Sequence, residues 1–127
     1  MSNGLPTRIL IVDDYPDVLE VWTLYLRAVG FDVAAAADGG SALRLARAET
    51  PDIVVLDLQL PDVSGLDVAR QLRGDVLTAS VPLIALTGRA MPNEIAEARD
   101  AGFDAVLVKP CEPAQLLQEI HRVLAER

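Results

Sequence analysis

Four apolar runs in this chain each end in a side chain suited to chemistry. Asp13 and Asp14 follow "ILIV", Asp57 follows "IVVL", Thr87 follows "PLIAL", and Lys109 follows "AVLV". If the runs lie side by side, three carboxylates crowd together, and each pair repels by about 4 kcal/mol at 4 Å with an effective dielectric of about 20. A cation resolves that repulsion. Oxygen ligands select a hard ion, and a few carboxylates completed by waters suit Mg²⁺ or Mn²⁺. Lys109 adds a compact positive charge and Thr87 a hydroxyl donor. A divalent ion, an ammonium and a hydroxyl around one carboxylate are what an incoming phosphoryl group needs, because its charge spreads over its outer oxygens.

The segments that must position these groups alternate between short β-rich runs and longer helical ones. Strands are expected over 8–12, 31–37, 52–57, 81–87 and 103–109. Between and after them come helices: "PDVLEVWTLYLRAVG" stopped by Gly30, "GGSALRLARAET" capped at Ser41, a third through about Leu72, "MPNEIAEARDAG" ending at Gly102, and "EPAQLLQEIHRVLAER". Pro16 and Pro113 fall in first turns, where proline is tolerated. Five βα units in succession imply an α/β fold, a mostly parallel sheet with helices on both faces and right-handed crossovers. The functional crevice of such sheets lies beyond the carboxyl ends of the strands, which is where all five residues stand.

Composition narrows the function. A chain of 127 residues is expected to form one domain over 1–127, with a core from about 8 to 124. Half the residues are hydrophobic, which excludes disorder, yet no apolar run approaches the roughly 18 residues of a membrane span. "MSNGLPTR" lacks the apolar region of a secretory signal, and a single cysteine precludes an internal disulfide, so a cytoplasmic setting is expected. A formal charge of −8 argues against direct nucleic-acid binding. One histidine, His121, leaves little for histidine-based catalysis or a multi-histidine metal site. The turn "DDYPD" after the first strand would repel a phosphate until a metal is bound, unlike a glycine-rich nucleotide loop.

The pieces "ILIVDD", "DIVVLDLQLPDVSGLDV", "PLIALTG" and "VLVKP" resemble, in order and spacing, the receiver domain of bacterial two-component response regulators, from Ile9 to about Leu124. The resemblance implies a flavodoxin-like (βα)5 three-layer sandwich with strand order 2-1-3-4-5. It implies that Asp57 accepts a phosphoryl group from a phosphohistidine of a sensor kinase or phosphotransfer protein. Asp14 would ligate Mg²⁺ directly, Asp13 through water, and Asp57 with the main-chain carbonyl of Gln59 would complete the protein's share. Thr87, helped by the backbone near Gly88, and Lys109 would bind phosphoryl oxygens. Lys109–Pro110 would be cis, and Gly65 would close the loop after the third strand. Phosphorylation would switch the face made by the fourth helix, fifth strand and fifth helix. Such a domain catalyses only its own phosphorylation and slow dephosphorylation. Phosphorylation-dependent homodimers are a further partner arrangement, with no membrane partner expected.

Departures from the family pattern are local. Val106 stands where an aromatic residue is common, and valine has few rotamers to exchange. Cys111 follows the Lys–Pro pair where phenylalanine is frequent. In the family the positions of Gln59 and Arg89 flank the route of an attacking water, so the resemblance implies that these two residues would tune the phosphoaspartate lifetime. Val18, Trp22, Tyr25, Leu26 and Val29 can form a core stripe on the first helix, leaving Leu19, Val21 and Leu24 either in a crowded core or, as the resemblance implies, as a surface beside which a kinase or phosphotransfer protein would dock. Leu117, Ile120 and Leu124 turn the last helix toward the core, with His121 at the edge of that face. Cys111 reads as a small buried hydrophobe and Asp62 as a loop acid. No output domain follows in the sequence, which fits a stand-alone receiver, a hybrid-kinase receiver or a regulator fragment. The alternatives are a receiver fold serving as a phosphorylation-independent interaction module, and a phosphohydrolase, which would need an acid where Gln59 stands.

Overall fold

The structure, a computed structural model, describes residues 6–89 and 91–126. Residues 1–5 and Arg127, at the two ends of the expected domain, lie outside the described residues. Strands and helices alternate: β1 (Arg8–Val12), α1 (Pro16–Ala28), β2 (Asp32–Ala36), α2 (Gly39–Ala48), β3 (Ile53–Asp57), α3 (Gly65–Gly74), β4 (Leu83–Thr87), α4 (Pro92–Ala101), β5 (Ala105–Val108) and α5 (Pro113–Ala125). The strands pair in parallel in the order β2-β1-β3-β4-β5, as the resemblance implies.

Continuous apolar strands produce this arrangement because both faces of the sheet are covered. Alternate residues feed two cores. Leu10, Val12, Val54, Leu56, Leu83 and Ala85 pack under α2, α3 and α4 through Ala42, Leu43, Val68, Leu72 and Ala98. Ile9, Ile11, Ile53, Val55, Ile84 and Leu86 pack on the other face under α1 and α5 through Trp22, Leu26, Leu116 and Ile120. Each fully buried Leu or Ile contributes about 1.5–3 kcal/mol of transfer free energy. Among the described residues no helix is long and apolar enough to cross a membrane.

Helix starts and stops follow local chemistry. Prolines occupy the first turns of α1, α4 and α5. Gly102 ends α4 at φ +111°, a left-handed position that glycine adopts without strain.

Three expectations need correction. The cap of α2 is Asp38, not Ser41: Ser41 N donates to Asp38 Oδ1 at 2.7 Å, so the helix begins at Gly39. On α1 only Trp22 and Leu26 of the expected stripe are fully buried; Leu19 joins Tyr25 in packing against the core, whereas Val18 and Val29 face out with Val21 and Leu24. On α5 the buried set is Leu116, Ile120 and Val123, with Leu117 half-buried and Leu124 packed at the edge of the core. "LL" and "VL" are adjacent apolar pairs, and helical periodicity cannot say which member turns inward. His121 is exposed, its ring 6.1 Å from that of Phe31 at the helix edge.

Candidate functional site

Strand register brings the expected residues to one edge. Val12 lies opposite Leu56 in the β1–β3 pair, so Asp13 and Asp57, each one residue further on, stand side by side. Asp57 is level with Leu86 and Thr87 with Val108, which sets Thr87 and Lys109 beside the acids. Parallel strands that end together deliver their terminal side chains to one crevice.

Asp13, Asp14 and Asp57 each offer a carboxylate oxygen, and these oxygens lie within 4.8 Å of one another. Asp13 is fully buried and Asp57 is 4% exposed. Their charges are held by a few donors. Lys109 Nζ bridges Asp13 Oδ2 and Asp57 Oδ2, at 3.0 Å to each. Asp13 Oδ1 accepts from Tyr15 N at 3.0 Å and Asp57 Oδ1 from Gln59 N at 3.0 Å. Burial alone would lower the Lys109 pKa, but hydrogen bonds and charge from Asp13 and Asp57 outweigh it and hold the ammonium above its ordinary range. One positive charge therefore bridges two of the three clustered acids.

Asp14 differs from its neighbours. Its Oδ1 is buried and has no hydrogen-bond partner among the described residues. A buried carboxylate oxygen left unpaired costs several kcal/mol unless a cation takes it. The donor set is all oxygen, so the residues present fit a hard divalent ion.

Thr87 is buried, and its hydroxyl is engaged twice by one residue: Oγ1 donates to Arg89 O at 2.9 Å and accepts from Arg89 N at 3.1 Å. Lys109 N donates to Thr87 O at 2.7 Å, and Lys109–Pro110 is cis, as the resemblance implies. Gly65 N donates to Leu58 O at 2.9 Å, closing the β3–α3 loop, and a Cβ at Gly65 would run into the Asp57 and Leu58 backbone. Val106 is half-buried against the core under α4, which fits a side chain with one small shape rather than a swinging ring. Cys111 is only partly buried, and desolvation raises its thiol pKa.

A groove of about 550 Å³ opens beside Lys109, between α1 and the β5–α5 connection. Asp17, Val18, Val21, Trp22, Pro110 and Cys111 line it. Sequence reasoning named α1 as a surface but missed the second wall, because the residue following Lys109–Pro110 is far from α1 in the chain. Asp62, expected as a plain loop acid, instead makes a tertiary contact with α2. Two hydrogen bonds from Gly39 N and Gly40 N hold it there.

Comparison with known proteins agrees with this geometry. The family model for the response regulator receiver domain matches residues 9–121. The DNA-binding response regulator MtrA of Mycolicibacterium smegmatis is 40% identical over 113 residues, covering 89% of this chain and 48% of its own length. The chain thus spans about half the length of the curated relatives it matches. The chemotaxis protein CheY4 of Vibrio cholerae superposes with a TM-score of 0.89 at 29% identity, over 93% of this chain and 98% of that one. The receiver domain of the sensor histidine kinase PA1611 of Pseudomonas aeruginosa has a TM-score of 0.87 at 32% identity, over 94% and 98%. That structure has a magnesium ion coordinated in the active-site cleft.

Proposed function

The chain belongs to the response regulator receiver domain family, and from that premise we propose that Asp57 accepts a phosphoryl group from a phosphohistidine, with Asp13 and Asp14 seating Mg²⁺ (Mn²⁺ serving in its place). Its role is two-component signalling rather than that of an ordinary enzyme. One observation carries the proposal: three carboxylates converge beside Lys109 while a buried Asp14 oxygen has no partner among the described residues. Asp14 would ligate the ion directly, whereas both Asp13 oxygens are already engaged, which favours contact through water. Gln59 would add its main-chain carbonyl. When bound, the ion supplies charge neutralisation at the phosphoryl oxygens and the Asp57 carboxylate.

In the step itself an Asp57 oxygen attacks phosphorus as the P–N bond to the donor imidazole breaks, the electron pair leaving on that nitrogen. The product is an acyl phosphate. Lys109 Nζ, already 3.0 Å from Asp57, moves its donors onto an incoming phosphoryl oxygen. Thr87 can meet another only by giving up Arg89 O, so phosphorylation competes with the turn that leads into α4. This competition couples the site to the α4–β5–α5 face, and the phosphorylated form is the one expected to pair as a homodimer. Gln59 and Arg89, both exposed beside the site, set the lifetime against attacking water.

The donor, a histidine kinase or phosphotransfer protein, would dock at the groove between α1 and the β5–α5 connection. The groove's apolar floor and its opening beside Lys109 support that place. The charge of −8 suits protein partners, and any DNA contact would belong to the part of the DNA-binding relatives outside the matched half. The fold has one layered core on each sheet face, supporting a single receiver domain over the chain, and a two-component role would place the protein in the cytoplasm.

Intact mass after incubation with phosphoramidate or acetyl phosphate, with and without Mg²⁺, tests the reading. The expected result is a gain of one phosphoryl group that needs Mg²⁺ and vanishes in Asp57→Asn. No gain in a folded protein that binds Mg²⁺ would overturn it in favour of a phosphorylation-independent interaction module.

A further inference from the structure

The β3–α3 loop carries Gln59, and its middle is tied down outside the acidic site. The Asp62 carboxylate reaches the first turn of α2, where Oδ1 accepts from Gly39 N and Oδ2 from Gly40 N, each at 2.9 Å. A helix start leaves four amides without intrahelical partners. Asp38, the local cap, takes one of them from Ser41, and Asp62 takes two more across 22 or 23 positions of sequence. The fit is close on both sides. Val63 sits against Gly39 so tightly that a Cβ there would collide with it.

Two features connect this clamp to the metal seat. The ends of the loop are fixed by Gln59 N to Asp57 Oδ1 and by Gly65 N to Leu58 O, and between them Asp62 adds the hydrogen-bonded tie to the core packing of Leu60 and Val63. The segment that receives the clamp follows β2, whose last residue, Ala36, accepts from Asp13 N at 3.1 Å. One frame therefore supports both the Asp13 backbone and the loop of Gln59.

We propose that Asp62 is a positioning residue for metal loading, its two-amide clamp on α2 holding the β3–α3 loop so that the Gln59 carbonyl is presented to the metal seat. The proposal rests on the metal-dependent phosphoacceptor reading above. Asp62 touches neither the ion nor the phosphoryl group. Its effect runs through the loop, as outer partners of metal ligands generally act.

The test pairs two caps of one helix. Asp62→Ala and Asp38→Ala both remove acceptors from the start of α2, but only Asp62 belongs to the loop. In the metal-free protein, amide exchange at Gln59 and Gly65 is expected to speed up about tenfold in Asp62→Ala and to stay unchanged in Asp38→Ala. Calorimetric titration with Mg²⁺ is expected to give about tenfold weaker binding in Asp62→Ala alone, the lower end of what outer-partner loss costs. If Asp62→Ala does not fold, Asp62→Asn, which keeps one acceptor oxygen, replaces it with a smaller change of the same sign. Equal effects of the two caps, or none from either, would overturn the proposal. Absence of Mg²⁺ binding in the parent protein would refute the phosphoacceptor reading, while the exchange contrast would still decide the clamp.

Discussion

The two ends of the sheet treat acidic residues in opposite ways. At the amino-terminal end Arg8 meets Asp32 at 3.3 Å and Glu49 at 3.4 Å, and its own amide donates to Asp52 at 2.8 Å. Close by, Arg73 donates to the carbonyls of Ala79, Val81 and Gly102 and pairs with Asp104, which also accepts from Leu83 N. Each of these four acids has an arginine or an amide. At the carboxyl end one lysine bridges Asp13 and Asp57, and a buried oxygen of the third acid, Asp14, goes unpaired among the described residues. The same fold thus has one end satisfied for stability and one end left short of positive charge. An incoming cation would supply what the second end lacks.

The sharpest way to break this contrast is to remove the single lysine. Lys109→Ala leaves Asp13 and Asp57 buried and facing each other, and stripping one partner from a buried ion pair costs about 3–5 kcal/mol. Urea unfolding without metal is expected to register a loss of that order, and saturating Mg²⁺ to recover much of it by binding the native state. A loss that Mg²⁺ does not touch would mean the acids are not a metal seat.

Arg73→Ala probes the other end. Arg73 holds three carbonyls and a carboxylate across α3, the start of β4 and the end of α4, so its truncation is expected to cost about 2–3 kcal/mol, the scale of hydrogen bonds to a charged group. This loss should be the same with and without Mg²⁺. Rescue by the metal would erase the distinction between the ends.

Asp13→Asn is the converse probe at the carboxyl end. It removes a fully buried, hydrogen-bonded carboxylate, yet it also relieves repulsion worth about 4 kcal/mol per close pair. Metal-free stability is therefore expected to stay within about 1 kcal/mol of the parent, while the stabilisation by Mg²⁺ disappears. A large loss in the metal-free state would show the acids to be structural.

The carboxyl end was the legible part of the sequence. Its residues terminate apolar strands, and parallel strands in register must bring such termini together, so Asp13, Asp14, Asp57, Thr87 and Lys109 could be placed from pattern alone. Contacts made by surface-type residues over long sequence separations could not. Arg73 and Asp62 look like ordinary polar positions on a helix and in a loop, and nothing near them in sequence names Gly102, Asp104 or Gly39 as partners. The α5 face was ambiguous for a different reason: where apolar residues come in adjacent pairs, packing rather than periodicity selects Leu116 and Val123 over Leu117 and Leu124.

The smallest expected effect is a pH dependence that separates two depressed acids on either side of this contrast. The amide of Gly39, then that of Gly40, lowers the Asp62 pKa from 3.8 to about 2. At the other end of the molecule the amide of Leu77, then Arg47, lowers that of Asp75. A carboxyl depressed in the folded state adds stability that is complete above its unfolded pKa and is lost as pH falls through its folded value. The parent should therefore exceed Asp62→Asn in stability above pH 3.8, and the two should converge as pH approaches about 2. Asp75→Asn should converge with the parent in the same acidic direction. Thermal melts across that range check both. Only the Asp62 substitution should also weaken Mg²⁺ binding at neutral pH, because only Asp62 lies on the loop that carries Gln59. If Asp75→Asn weakened it equally, the two ends of the sheet would be coupled through overall stability, and the division of labour between them would fail.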